Sequence, residues 1–220
     1  MKVNKTGIFL ISFFILFGVA FLGYYYKVSS EQPKRSPLPI LGNVPDHKVA
    51  PFSFINQDGK TITNEDIKGK IVIVDYFFAT CMGICPKMNQ NLAKVYERFK
   101  GNKDVIILSH TVDPVKDTVA ALKAYSLKFG ANADQWMFLT GDKQQLYDMA
   151  RYSYLISAQD DTAGISIDKD FIHDNHYVLV DNYGRLRGMY DGLDDAKVDS
   201  MIGHIVLLLD EKTVKYSPVN

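Results

Sequence analysis

Cysteine is scarce in this chain. Among 220 residues only Cys81 and Cys85 carry a thiol. A structural disulfide between residues so close in sequence would close a tiny loop and stabilise little. Net charge is missing as well: 25 basic residues balance 25 acidic ones. The chain therefore projects no field toward a polyanion, and nucleic acid is set aside as a partner. No cysteine ends the apolar run near the N-terminus, which excludes a lipid-modified N-terminal cysteine, and no small-x-small cleavage site follows that run. No internal repeat is found.

What is present begins with that run. Residues 8–26 read IFLISFFILFGVAFLGYYY without a charge, and at ~1.5 Å rise per residue such a segment matches a bilayer core. Lys2 and Lys5 precede it and three tyrosines close it like an interfacial belt. It is read as an uncleaved transmembrane anchor, with a cleaved signal peptide as the alternative. The expected organisation is a cytoplasmic N-terminus (1–7), the anchor (8–26), a proline-rich tether (27–45), one globular domain (46–210) and a C-terminal tail (211–220). The tether rests on five of the eight prolines, Pro33, Pro37, Pro39, Pro45 and Pro51, falling before the first strand. An N-terminal apolar segment with a large domain behind it places that domain on the exported, periplasmic side of the cell inner membrane, single-pass.

Within the domain, apolar runs and turn residues alternate. Phe52–Asn56 and Thr61–Ile62 suggest a hairpin about Asp58-Gly59, with a helical turn near Asn64–Ile67. Ile71–Phe78 is apolar enough for a strand buried on both faces. A helix is expected from about Pro86 to Phe99, a second buried strand over Val105–His110, and a helix over Pro114–Phe129 capped by Asp113. Then come a strand at Trp136–Leu139, a helix at Asp142–Tyr152, a hairpin (Tyr177–Asp181, Arg185–Tyr190) and a last helix at Asp195–Leu209. A β-α-β half followed by a β-β-α half, with a cysteine pair at the first strand-to-helix junction, is the thioredoxin plan. The fold class is α/β: a thioredoxin-like central sheet flanked by helices, preceded by one N-terminal transmembrane helix.

The centre of the chain is Ile71–Met88, IVIVDYFFATCMGICPKM. Three intervening residues place the cysteines at i and i+4, so their side chains can converge at a helical start. The helix N-terminus favours the thiolate, which is both nucleophile and metal ligand. The pair can therefore form a redox couple or hold a soft metal.

The motifs FFATCMGICPKM, LSHTVDPVKDT, FLTG and a histidine followed by VLVDNYGRLRGMYDG resemble, in that order, the Sco/SenC family of membrane-anchored, copper-binding thioredoxin-fold proteins of cytochrome c oxidase assembly. The likeness covers about residues 45–210. Against the family pattern T-x-C-P-x-x-C-P, this chain keeps Cys81, Cys85 and Pro86 but has Met82 for the first proline and Ala79 for the threonine. Asp113, Pro114, Asp117 and Thr118 keep the D-P-x-x-D-T element. The resemblance implies copper, Cu(I) or Cu(II), held by Cys81, Cys85 and His173. A Cys-Cys-His set suits copper better than a hard cation, and structural zinc normally takes four protein ligands.

Other residues compete for roles. His176 follows His173 by three positions, whereas His47, His110 and His204 read as structural or solvated, His110 lying nearest the cysteine edge. Met82 offers a thioether but reads as packing. Asp113 and Asp117 can be family carboxylates near the site or helix-start acids. Asp75 interrupts an apolar strand as a paired core acid or a proton relay. The polar stretch Ser157–Asp170 leads to His173 and suggests a ligand on a mobile loop. Function is expected to be a copper metallochaperone for the binuclear copper centre of cytochrome c oxidase. Its partner would be the oxidase's copper-bearing subunit or another copper donor or acceptor protein. A tethered thiol-disulfide oxidoreductase, with Cys81 and Cys85 catalytic, is the first alternative, and a copper-responsive binding module the second.

Overall fold

Strand Ile71–Phe77 (β3) is buried at all seven positions, because it lies inside the sheet with a helical layer on each face. The computed structural model describes residues 4–30, 38–81, 83–156 and 174–213. Two compact units divide after Pro37. The first holds helix α1, Lys5–Ser30, whose span Gly7–Tyr26 is long and apolar enough to cross a membrane.

The second unit is a seven-stranded sheet. Its strands are β1 (Ser53–Asn56), β2 (Thr61–Thr63), β3, β4 (Val105–Thr111), β5 (Trp136–Thr140), β6 (His176–Val180) and β7 (Leu186–Asp191), in the order β2-β1-β5-β4-β3-β6-β7. β3, β4 and β5 run parallel, while β6 lies antiparallel to β3 and β7 to β6. The hairpin between β6 and β7 turns at Gly184, whose φ of 78° falls in the left-handed region that favours glycine.

Side-chain alternation divides the core. Ile71, Ile73 and Phe77 of β3 pack beneath helices α3 (Cys85–Phe99), α4 (Val119–Leu127) and α6 (Asp195–Thr213) with Leu92, Leu122, Trp136 and Met201. Val72, Val74 and Tyr76 face Phe54, Leu108, Leu146 and Tyr154 on the other side, beneath α5 (Lys143–Asp148) and the π-turn Met149–Ser153. The short helix α2, Asn64–Ile67, is capped by Thr63, whose N–H donates to Asp66 at 2.9 Å.

Two expected helices begin or end differently. The fourth starts at Val119, capped by Thr118, whose hydroxyl accepts from the Ala121 N–H at 3.3 Å. Asp113-Pro114 opens a turn instead, in which the Asp113 carbonyl takes the N–H groups of Lys116 and Asp117. The turn persists because the Asp117 side chain is committed elsewhere. The helix expected over Asp142–Tyr152 keeps its cap, Asp142, but from Met149 it widens into the π-turn. That widening presents Ser153, whose carbonyl meets His47 Nε2 and whose hydroxyl accepts from Ala50 N–H, both at 2.8 Å. Leu38 and Pro39 give their carbonyls to the buried Arg187 guanidinium, and Leu41 bridges Leu186.

Candidate metal and redox site

The C-terminal end of β3 delivers the chain to the two thiols. Both are free; Cys85 is buried as the first residue of α3, with Pro86 behind it in the first turn, and Cys81 is partly exposed. Pro86 costs nothing there, since the first turn has no intrahelical acceptor for its missing N–H.

The two sulfurs differ in acidity. Partial burial opposes ionisation of Cys81, but it is outweighed by hydrogen bonds from the Cys85 thiol and from the N–H groups of Cys85, Gly83 and Ile84, which bring Cys81 below the usual 9.0. Cys85 is pushed up to about 12, first by burial and then by its bond to Cys81. Cys81 is therefore the more acidic sulfur of the pair, and the Cys85 S–H carries the proton that is harder to remove before both sulfurs can bind a metal or join each other.

The loop between strand and helix is braced from behind. Asp117, 1 % exposed, accepts the Ala79 N–H at 3.1 Å and the Thr111 hydroxyl at 2.5 Å. The same threonine oxygen takes the Asp113 N–H at 2.9 Å. Asp117 thus acts on the cysteine loop, while Asp113 forms a surface pair with Lys116 at 3.0 Å. Sequence reasoning placed both near the site without separating these roles. The separating signal is Thr111, six residues ahead of Asp117 at the end of β4.

Asp75 lies beneath the pair at 1 % exposure. One carboxyl oxygen receives the Ser109 hydroxyl, which itself accepts the Trp136 indole N–H at 2.9 Å, and the other oxygen has no hydrogen-bond partner among the described residues. Burial pushes its acidity up to about 7, with the Ser109 bond opposing. It is half of the paired core acid expected.

His173 and Met82 lie outside the described residues, as does the Ser157–Asp170 stretch. β6 begins at His176, and the pairing of Val178 with Val74 sets that start level with Tyr76, near the end of β3. The His176 ring is engaged by Asp174 at 3.0 Å. Among the described residues no three His, Cys, Asp or Glu side chains are grouped to hold a metal.

A dithiol at a strand-to-helix junction, on a mixed sheet between two helical layers, defines a thioredoxin-like protein. The SCO1/SenC family model matches residues 42–209. The SCO1 protein homolog of Bacillus subtilis is 30 % identical over 162 residues, 73 % of this chain and 82 % of that protein. The chain belongs to the SCO1/SenC family. Among solved structures, BsSco is 29 % identical with a TM-score of 0.63, covering 80 % of this chain and 99 % of its own. It is described as a member of the Sco family of cytochrome c oxidase assembly proteins that has a disulfide switch. Arabidopsis thaliana ScoI with copper bound is 25 % identical with a TM-score of 0.55, covering 72 % and 98 %.

Proposed function

We propose that this chain is a copper metallochaperone that binds copper through Cys81, Cys85 and His173 and passes it to the binuclear copper centre of a cytochrome c oxidase. The observation that carries the reading is the free dithiol after the end of β3, with Cys81 partly exposed and the more acidic and Cys85 buried. Copper-bound ScoI and the assembly role of BsSco support it by kinship. The level start of β6 supports His173, three residues upstream, as the third ligand. Copper is cargo: acceptor thiolates replace the three ligands one at a time, so no free ion is released and no electron need move. Helix α1 anchors the domain to the inner membrane with the site on the periplasmic side, where donor and acceptor share one surface.

Titration of the reduced, detergent-solubilised chain with copper tests this. Cys81→Ser, Cys85→Ser and His173→Ala are each expected to weaken binding at least ~100-fold, given that three ligands make the site. Tight copper binding by His173→Ala would overturn the ligand set.

The split acidity of the thiols also favours a second reading, a thiol-disulfide oxidoreductase that reduces an acceptor's cysteines. The Cys81 thiolate would attack the acceptor disulfide, forming a mixed disulfide and releasing one acceptor thiolate. Cys85, after losing its proton, would then displace the second and leave Cys81–Cys85 oxidised. Oxidase assembly in cells that depends on both cysteines but survives His173→Ala selects this reading over delivery.

A further inference from the structure

We propose that His110 is an acid-sensitive latch, which in its neutral form fastens the π-turn and Tyr154 to the sheet and releases them on taking up a proton. β4 sends Ser109 and Thr111 to the cysteine side of the sheet, where each bonds a carboxylate. His110, between them, points to the opposite face and is 0 % exposed. There it sits among four rings. Tyr76 stacks on it at 5.1 Å, Phe54 meets it edge-on at 5.4 Å, Tyr154 lies tilted at 5.5 Å and Phe52 stands edge-on at 6.5 Å.

Neither imidazole nitrogen has a hydrogen-bond partner among the described residues, and neither has the Tyr154 hydroxyl. A neutral imidazole tolerates this, since its one N–H can rest against a ring face. An imidazolium would bring a full charge and a second donor into a site without an acceptor. Burial alone accordingly pushes the His110 basicity down from 6.5 to about 3.

Among the described residues, the surroundings offer no carboxylate to receive the proton's charge. From β3 comes Tyr76, whose hydroxyl is committed to the Leu146 carbonyl at 2.9 Å. From α5 comes Tyr147, committed to the Val112 carbonyl at 2.9 Å. The π-turn brings Arg151, a cation lying over the Tyr147 ring at 5.6 Å. β1 and the residue before it bring Phe54 and Phe52 to the cage, and His47 reaches this layer through the Ser153 carbonyl.

The cover is also the weakest part of that layer. It is a π-turn rather than a regular helix, closed by the Tyr154 N–H on Met149 at 2.8 Å and the Ile156 N–H on Ala150 at 2.7 Å. Leu155 within it holds a φ of 59°, strained for a side-chain-bearing residue. Charging His110 therefore opens Met149–Ile156 before the parallel strands part. A single proton taken up on opening multiplies the open-to-closed ratio about tenfold per pH unit between the two values.

The test uses the full chain in detergent micelles. Histidine NMR should show His110 neutral from pH 8 to 4.5, while hydrogen-exchange protection of Met149–Ile156 falls about 50-fold from pH 6.5 to 4.5. His110→Phe, which keeps a ring in the cage, should flatten that fall. An imidazole that titrates near 6.5 in the folded protein overturns the latch. So does protection that changes equally with pH in wild type and variant. If the variant fails to fold, the wild-type titration and exchange decide: a neutral His110 with unchanged protection also overturns it.

Discussion

Asp75 and Ser109 face one side of the sheet, and Tyr76 and His110, their neighbours in the β3–β4 register, face the other. Asp75 on one face and His110 on the other are both fully buried, at 1 % and 0 % exposure. Among the described residues, Asp75 keeps one hydrogen bond, from Ser109, and leaves its other oxygen without a partner beneath the thiols. Among the same residues His110 keeps none, and it is enclosed by rings. The difference is one of chemistry: a carboxyl needs a donor or a proton, whereas a neutral imidazole can be packed as an aromatic. The thiol face therefore holds a proton near neutrality, and the ring face refuses one.

The two groups give stability opposite dependences on pH. The folded-state value of Asp75 is raised, so its contribution is complete below the unfolded value of 3.8 and is lost as pH rises through about 7. That of His110 is depressed, so its contribution is present above 6.5 and is lost as pH falls toward about 3. Between about pH 4 and 6.5 the two slopes offset one another in global unfolding. The largest effect comes from breaking that balance at Asp75. Asp75→Asn should remove an Asp75 contribution that falls by about 2.5 kcal/mol between pH 5 and pH 7.5, at ~1.4 kcal/mol per pK unit, so that the variant, left with the His110 slope, gains stability across a window in which wild type stays nearly level. Denaturant melts across that window measure it. A variant whose stability follows the same pH course as wild type across that window would show that Asp75 is ionised when folded.

Next in size is the brace that the thiol face has and the ring face lacks. Asp117→Ala strands the Ala79 N–H and the Thr111 hydroxyl in a buried setting, at an expected cost of about 2 kcal/mol. The cysteine loop loosens with it, so Cys81 should lose the aligned N–H donors that favour its thiolate and alkylate more slowly at pH 7. Unchanged melting and unchanged Cys81 alkylation would leave Asp117 a surface acid after all.

These same residues mark where the sequence was legible. The apolar run of β3, the thiol pair and Pro86 are local signals, and the strand-to-helix junction formed where they indicated. Asp113-Pro114 is equally local but ambiguous, since a helix start and a turn share it. The choice was made by Asp117 reaching Ala79 across 38 residues. The π-turn was likewise set from afar by His47 at Ser153, 106 residues away. Asp75 could be flagged as a costly acid, but its partner Ser109 follows only from the parallel register. His110 was visible as a polar residue near the cysteine edge, yet nothing local reports four rings drawn from three separate segments.

The smallest effect separates the hydroxyls on the ring face. Tyr76 donates to the Leu146 carbonyl, so Tyr76→Phe removes a satisfied buried bond and should cost about 1 kcal/mol. The Tyr154 hydroxyl is buried in the core and finds no acceptor among the described residues. Tyr154→Phe should therefore leave stability unchanged or raise it by a few tenths of a kcal/mol, since the desolvation penalty disappears and the ring against His110 remains. Paired melts of the two variants at pH 7 compare them directly. Equal losses would mean that Tyr154 has a hydrogen-bond partner in solution, and the most economical one is His110 itself. A bond between them would hold the imidazole in one tautomer and soften the contrast between the two faces.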